Sequence, residues 1–425
     1  MSGSEAVMGR DAIPDEVPSD YLVVGRPEYR RASRILFVAG FATFATLYCV
    51  QPLMPEFVAA FGVTPAESSL SLSLGTGFLA VSMLVAGTLS DRIGRKPVMI
   101  ASLLLSGAFG LFAALAPDWP WLLVLRALVG VALSGLPAVA MAYVSEEVDP
   151  RSAGVTMGLY IGGTALGGMA GRVLTAVVAD LTNWRVAIAV IGGLSLVAAA
   201  AVWAGLPASR HFVRRQAGMA QFLAAWRGHL TNPGLLRMFA IGFLSIGGFV
   251  TVFNYVSFRL IQPPFDLRPA VAGAVFVVYL TGVVSSPLFG GLAAQLGRGR
   301  VMLGAALMMA VGLALMWPDS LWTLAPGIAL FTFAFFGMHS IASGWIGQIA
   351  TANKAQASSM YLFCYYMGST LSGTVGGLFW HDHGWAGVTA FVGVFLLMVL
   401  MVAARLALLG QPGRVPKNSL ESPAE

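Results

Sequence analysis

Along its 425 residues the chain alternates between long apolar runs and short polar breaks, and the runs share a common length. A helix needs about 20 apolar residues to cross the hydrocarbon core of a bilayer. Runs of that order fall at 35–56, 68–90, 97–116, 120–144, 154–178, 185–206, 237–261, 271–294, 301–317, 321–349, 357–380 and 386–409. Backbone inside lipid must satisfy its own hydrogen bonds, so the pattern predicts an all-α polytopic membrane protein of twelve helices. Gln51-Pro-Leu-Met-Pro55 ends the first run, and its two prolines predict a kinked or unwound outer end. The polar stretches suggest a disordered tail at 1–34 and a first six-helix bundle over 35–206. A linker at 207–236, a second bundle over 237–409 and a tail at 410–425 follow.

The second half repeats the first at an offset near 203. Gly87, Leu89, Gly94 and Arg95 recur as Gly290, Leu292, Gly297 and Arg298, and Arg151, Met157 and Leu159 as Lys354, Met360 and Leu362. Near an offset of 201, Pro117, Asp118 and Trp121 recur as Pro318, Asp319 and Trp322, and Trp184 as Trp385. Parallel repeats of six spans joined by a linker are a transporter architecture. Ala294 stands where Asp91 stands in the first copy, so whatever Asp91 does is not done symmetrically.

Composition sharpens this picture. The chain is 57% hydrophobic and 10% charged, against about a quarter charged in soluble proteins. Its fifty glycines lie mostly inside apolar runs, where they suit close helix packing. Cys49 and Cys364 fall inside spans of opposite halves, which argues against a disulfide or a metal site. The net charge of +6 suggests nucleic acid only until it is placed on the topology. Twenty of the 25 Lys and Arg fall on one side, and Arg185, Arg259 and Arg268 on the other. Arg126 and Arg172 lie within spans. That bias puts both termini in the cytoplasm and leaves no nucleic-acid reading. No secretory signal precedes the first span. The stretch from Pro207 to Arg237 carries five arginines and no acid, which suits an anionic lipid surface. Within it Met219, Phe222, Leu223 and Trp226 have the spacing of a short surface helix, although a solvated linker fits equally.

The most informative polar break is Gly87-Thr-Leu-Ser-Asp-Arg-Ile-Gly-Arg-Lys96. Asp91 sits at a helix end where the macrodipole is negative, so it needs partners. Arg92, Arg95 and Lys96 are near, and the N-terminus of a neighbouring helix would also serve. Gly87 and Gly94 are expected to let a second helix approach. The stretch resembles the signature loop between the second and third helices of the major facilitator superfamily, G-x-L-x-D-R-x-G-R-[RK], at every position. Leu122-x-x-x-Arg126-x-x-x-Gly130 resembles a second motif of that superfamily, whose arginine is implicated in proton coupling in exporters. The glycine run Gly158 to Arg172 resembles the fifth-helix motif of antiporters, read here as Gly163-Thr-Ala-Leu-Gly-Gly168 with Thr164 in place of proline. Gly130, Gly163, Gly167 and Gly168 are thus expected at helix contacts. The similarity spans about residues 34 to 410 and is greatest to the drug:proton antiporters and their sugar-efflux relatives.

Arg126 lies roughly 9 Å below the outer surface and Arg172 about 27 Å from the cytoplasmic start of its span, so both fall in the outer half of the bilayer. A charge there costs at least about 2.5–3.5 kcal/mol and needs a partner. No carboxylate lies near the middle of any span, and the nearest are Glu56 and Asp180 at outer span ends. Either these acids pair with the arginines and seal an outer gate, or the arginines hold a substrate carboxylate or phosphate. His339 in the tenth span is a candidate proton carrier or a hydrogen-bonded packing residue. Tyr48, Gln51, Tyr143, Asn254, Tyr255, Trp345, Gln348, Tyr361, Tyr365 and Tyr366 supply further aromatic and hydrogen-bonding groups. The resemblance implies that the first, fourth, seventh and tenth helices line a central cavity. Nothing resembles a nucleophile triad, metal cluster, phosphate loop or nucleotide motif, so no enzyme activity and no cofactor is expected, and energy comes from a gradient.

The resemblance therefore implies alternating access in a bacterial inner membrane, by a monomer acting on a small-molecule substrate. Asp91 is expected to latch the outward-open state by facing the eleventh helix near Ala357 and Ser358. Proton-coupled efflux of small organic compounds is the expected function. A carrier for an organic anion or sugar, by uniport, exchange or symport, is the alternative.

Overall fold

The structure, a computed structural model, describes residues 21–212 and 226–408. Among these residues ten uninterrupted or gently broken helical spans come first: α1 Pro27–Phe61, α2 Pro65–Ile93, α3 Arg95–Ala114, α4 Trp119–Glu147, α5 Pro150–Leu181, α6 Trp184–Gly205, α7 Pro233–Ile261, α8 Pro269–Leu296, α9 Arg298–Leu315 and α10 Leu321–Ile349. A last run, Gln356–Leu408, is broken at Gly384 (φ 56°, ψ −142°) into α11 (356–383) and α12 (385–408). Twelve spans in two bundles result, with α1 packed on α5 and α6, α2 on α4, and α3 on α6. In the second bundle α7 packs on α11 and α12, α8 on α10, and α9 on α10. Both described chain ends lie on one face, the inner face below. The α1–α2 connection lies on the opposite, outer face.

The starts of the helices follow from local chemistry. Proline opens α1, α2, α5, α7 and α8, where its missing N–H has no intrahelical partner to lose. Thr64 and Glu67 form a reciprocal capping box at α2. Asp118, Asn183 and Asn232 accept backbone N–H groups at the starts of α4, α6 and α7. Gly94 (φ 109°) and Gly297 (φ 92°) turn the α2–α3 and α8–α9 hairpins, which are equivalent in the repeat.

Three expectations are corrected here. Residues 21–34 are not a disordered tail. The Leu22 N–H donates to the Glu147 carbonyl at 2.9 Å, the Asp149 N–H donates to the Leu22 carbonyl at 3.1 Å, and the Tyr21 ring stacks on His211. The first helix already runs from Pro27, because Tyr29, Ala32 and Ser33 bury a face as Leu36 does. Gly87 admits no neighbour, since a Cβ there would meet nothing within 4 Å, and Gly94 is required by its backbone rather than by a contact. Gly168 makes a looser contact, since a Cβ there would meet Phe44 of α1 only at 3.9 Å, and its carbonyl accepts from Arg172, as described below. By contrast Gly163 and Gly167 lie against the carbonyls of Phe37 and Phe41 on α1, and Gly130 lies against that of Gly75 on α2. A side chain at any of these three would collide with backbone. Residues 1–20, the linker residues Met219, Phe222 and Leu223, and the tail from 409 lie outside the described residues.

Candidate functional site

The outer end of α1 is where the expected kink appears. The helix runs to Tyr48, turns once as a 3-10 helix over Gln51–Leu53, and resumes at Met54. The helical ladder stops at Tyr48, so the carbonyls of its last turn lack helical partners. Arg126 supplies them. Its Nη1 donates to the Thr46 carbonyl at 3.1 Å and its Nη2 to that of Leu47 at 2.6 Å. Nε donates to the Ser71 carbonyl of α2 at 3.0 Å. A guanidinium at the negative end of a broken helix, 1% exposed, is a cap that joins three helices.

Arg172 is also buried, at 2% exposure, but its surroundings differ. Nη1 donates to the Gly168 carbonyl one turn back, at 2.6 Å, and Nε to Gln51 Oε1 at 2.5 Å. Gln51 Nε2 in turn donates to Asn254 Oδ1 of α7 at 2.7 Å. The guanidinium carbon lies 4.1 Å from the Tyr48 ring centre, 4.6 Å from Tyr279 and 5.4 Å from Phe276. A cation over ring faces is held by their quadrupoles, which partly replaces a counter-charge. Arg172 therefore starts a polar chain that crosses from one bundle to the other, boxed by rings of both.

The two acids do not join it. Asp180 pairs with Arg268 at 2.8 Å, across the outer ends of α5 and α8. Glu56 lines a small outer cavity with Pro52, Ser257 and Pro269, and has no hydrogen bond or ion pair among the described residues. The expectation that Glu56 and Asp180 neutralise the buried arginines is thus overturned. Carbonyls left open by the break in α1, an amide and ring faces do that work.

From Tyr279 the aromatic lining continues through Phe249 and Phe335 to His339. His339 Nδ1 lies 2.8 Å from the Tyr361 hydroxyl, and its ring centre is 4.7 Å from that of Tyr365. Tyr365 meets Tyr366 edge-on. Tyr255 is fully buried, stacks on Trp380 and donates to the Gly373 carbonyl at 2.7 Å. It holds α7 to α11 within one bundle. Three expected cavity residues lie instead at the inner end. Tyr143 donates to the Pro207 carbonyl, Gln348 accepts from Arg298, and Trp345 lies beside that same arginine.

The outer halves of the bundles are shut against each other by small residues. Thr374 donates to Ser73 Oγ at 2.9 Å, Thr370 donates to the Ser73 carbonyl at 3.2 Å, and the Thr76 and Thr370 hydroxyls lie 2.9 Å apart. Gly377 packs on Ala66, and Gly273 on Ala176. In the inner halves, Cβ atoms built on Gly154, Gly158, Gly162, Gly290 and Gly291 would meet nothing within 4 Å. On the inner face Asp91 pairs with Arg95 at 2.6 Å, and Arg95 also grips Glu146 with two bonds of 2.7 and 3.0 Å. Of the other expected partners, Lys96 donates to the Leu206 carbonyl. Asp91 does not reach Ala357 or Ser358 with the outer side shut.

Sequence reasoning missed Glu146, Phe276, Tyr279 and the Ser/Thr seam. The seam carried a signal, since Ser68, Ser69, Ser71, Ser73 and Thr76 crowd one apolar span, and small hydroxyl residues mark helix contacts in lipid. Phe276 and Tyr279 carried none, because a lipid-facing ring reads identically.

Comparison with known proteins agrees with this geometry. The profile of the Major Facilitator Superfamily matches residues 36–266 and 260–425. The inner membrane transport protein YnfM of Escherichia coli K12 is 46% identical over 92% of this chain and 93% of its own. The uncharacterised MFS-type transporter YybF of Bacillus subtilis 168 is 44% identical over 91% of this chain and 96% of its own. Among solved structures, a bacterial homologue of the human lysosomal transporter Spinster, inward-facing and unoccupied, superposes with a TM-score of 0.77 at 14% identity. That match covers 92% of this chain and all of the other.

Proposed function

The chain belongs to the major facilitator superfamily of membrane transporters, and from that membership we propose that it exports small organic compounds by proton-coupled alternating access. The observation that carries this reading is the polar chain Arg172–Gln51–Asn254 beside a shut outer seam. A site that bridges both bundles is remade whenever they rock, so a ligand there biases the equilibrium between the two states. The rings of Tyr48, Tyr279, Phe249 and Phe335 favour cargo with an apolar or aromatic body. His339, hydrogen-bonded to Tyr361 among those rings, is the proton carrier in this scheme. Asp91 exchanges Arg95 for the N-terminus of α11 near Ala357 and Ser358 when the outer side opens. Both chain ends face the cytoplasm, following the arginine and lysine bias, and the working unit is the monomer.

One observation favours a second reading. Arg172 Nη2 makes no hydrogen bond among the described residues, and no acid faces it. A carrier of organic anions would use that free edge of the guanidinium for a carboxylate. Reconstituted vesicles separate the two. An imposed pH gradient drives uptake of cationic or neutral organic dyes in the first case and is abolished as a driving force by His339→Gln. A trans organic acid drives exchange in the second. Vesicles indifferent to both gradients would overturn both.

A further inference from the structure

The α8–α9 hairpin is the second copy of the signature loop, and it has lost its acids. In the first copy Arg95 is neutralised by Asp91 and Glu146. In the second, Ala294 stands in the place of Asp91, and the partner of Arg298 is the uncharged amide of Gln348. Arg300, two residues further on, is exposed and has no hydrogen bond or ion pair among the described residues. The first helical bond of α9 runs from the Val301 N–H to the Gly297 carbonyl, and no side chain caps this end. The N–H groups of Arg298, Gly299 and Arg300 are therefore left pointing out of the helix, with the positive end of its dipole.

These groups do not face bulk solvent on a flat surface. They line a cavity of about 400 Å³ on the inner face, closed by Ala294, Gly297, Trp345 and Leu406. Trp345 is 3% exposed and forms a wall beneath the Arg298 guanidinium. The floor is fixed, because Gly299 lies directly against the Leu406 carbonyl of α12. Leu296 is exposed at the rim. Two guanidinium groups, a helix start and a pre-formed hollow with no acid in its lining are the chemistry of phosphate recognition.

We propose that this cavity binds a phosphate group, carried either by an anionic lipid of the inner-face leaflet or by a soluble phosphorylated solute. The site is separate from the transport pathway, and it exists in one half only because the second copy kept the arginine at 298, has Arg300 where the first has Pro97, and lost its acids.

The test uses the full chain purified in neutral detergent, with phosphatidylglycerol, phosphatidylcholine and inorganic phosphate as probes and native mass spectrometry with thermal melting as readouts. Two variants are compared with the parent: the pair Arg298→Gln with Arg300→Gln, and Ala294→Asp, which restores the acid of the first copy. Phosphatidylglycerol binds the parent, and both variants weaken it by about tenfold or more, the size expected for losing charge-assisted contacts. Phosphatidylcholine, being zwitterionic, does not distinguish the three proteins. If inorganic phosphate displaces phosphatidylglycerol from the parent, a soluble phosphate is the source. If it does not, the lipid is. Equal phosphatidylglycerol binding by the parent and by an Ala294→Asp variant of unchanged ligand-free melting temperature overturns the proposal, as does failure of the parent to bind either probe.

Discussion

Arg126 and Arg172 are two buried arginines in the same bundle, similar in depth and in their lack of an acid, yet they have different work. Arg126 gives its donors to main-chain carbonyls of α1 and α2 and is sealed off from the pathway. Arg172 reaches a side-chain amide that reaches the other bundle, and rings of both bundles surround it. Exposure and charge do not tell them apart. What does is the kind of acceptor: a carbonyl freed by the break in α1 belongs to the same bundle as Arg126, whereas a contact across the bundle interface is made and broken as the bundles move.

That contrast can be broken in four ways. Arg126→Ala should cost about 3 kcal/mol or more of stability, since it strands the carbonyls of Thr46 and Leu47. A thermal melt in detergent reads this, and Arg126→Lys should recover only part, because an ammonium cannot span three carbonyls as a planar fork does. Arg172→Ala should leave a folded protein, with a melting temperature nearer the parent than that of Arg126→Ala, and lower vesicle transport by about tenfold or more. Equal destabilisation by both alanines would erase the distinction. Gln51→Ala and Asn254→Ala should each cost about 1 kcal/mol, and the double variant should cost less than their sum because one bond is lost in each. Strict additivity in that cycle would show that the two amides do not interact. Asp91→Asn should change stability least, by about 0.2–1 kcal/mol, as expected for a partly exposed pair. It should still slow transport and raise the reactivity of cysteines introduced on the inner face, and unchanged reactivity would count against a switching role.

The spans were readable because lipid imposes one rule on every residue of a crossing helix. Their ends were not, because proline starts and side-chain caps carry helices past the apolar stretch. Pro27 begins α1 ahead of the apolar run from 35, and Phe61 ends it beyond residue 56. The repeat held more information than its motifs suggest. Gln51 and Asn254 are 203 positions apart, the repeat offset itself, and they bond to each other. Two equivalent residues on a pseudo-two-fold axis must face one another, so this contact was present in the numbering. The partners of Arg126 were not, since a backbone carbonyl has no letter in a sequence. Glu56 and Asp180 are the nearest acids in the sequence and one of two expected sets of partners, but Asp180 is taken by Arg268, which lies at a neighbouring helix start within its reach.

The hydroxyl seam between α2 and α11 has one further consequence. Ser69, whose hydroxyl lies 3.4 Å from that of Thr374, also donates to the Ala66 carbonyl at 2.7 Å, Thr76 to those of Leu72 and Ser73 at 3.2 Å, and Thr374 to that of Thr370 at 3.3 Å. Ser69, Thr76 and Thr374 thus each keep a spare acceptor on their own helix, one turn back. When the halves separate, these three protons return to their own helices and are not stranded in a dry interior. Such a fastener grips well enough to exclude water, yet it can be undone and redone through many cycles without waiting for solvent to release each tooth.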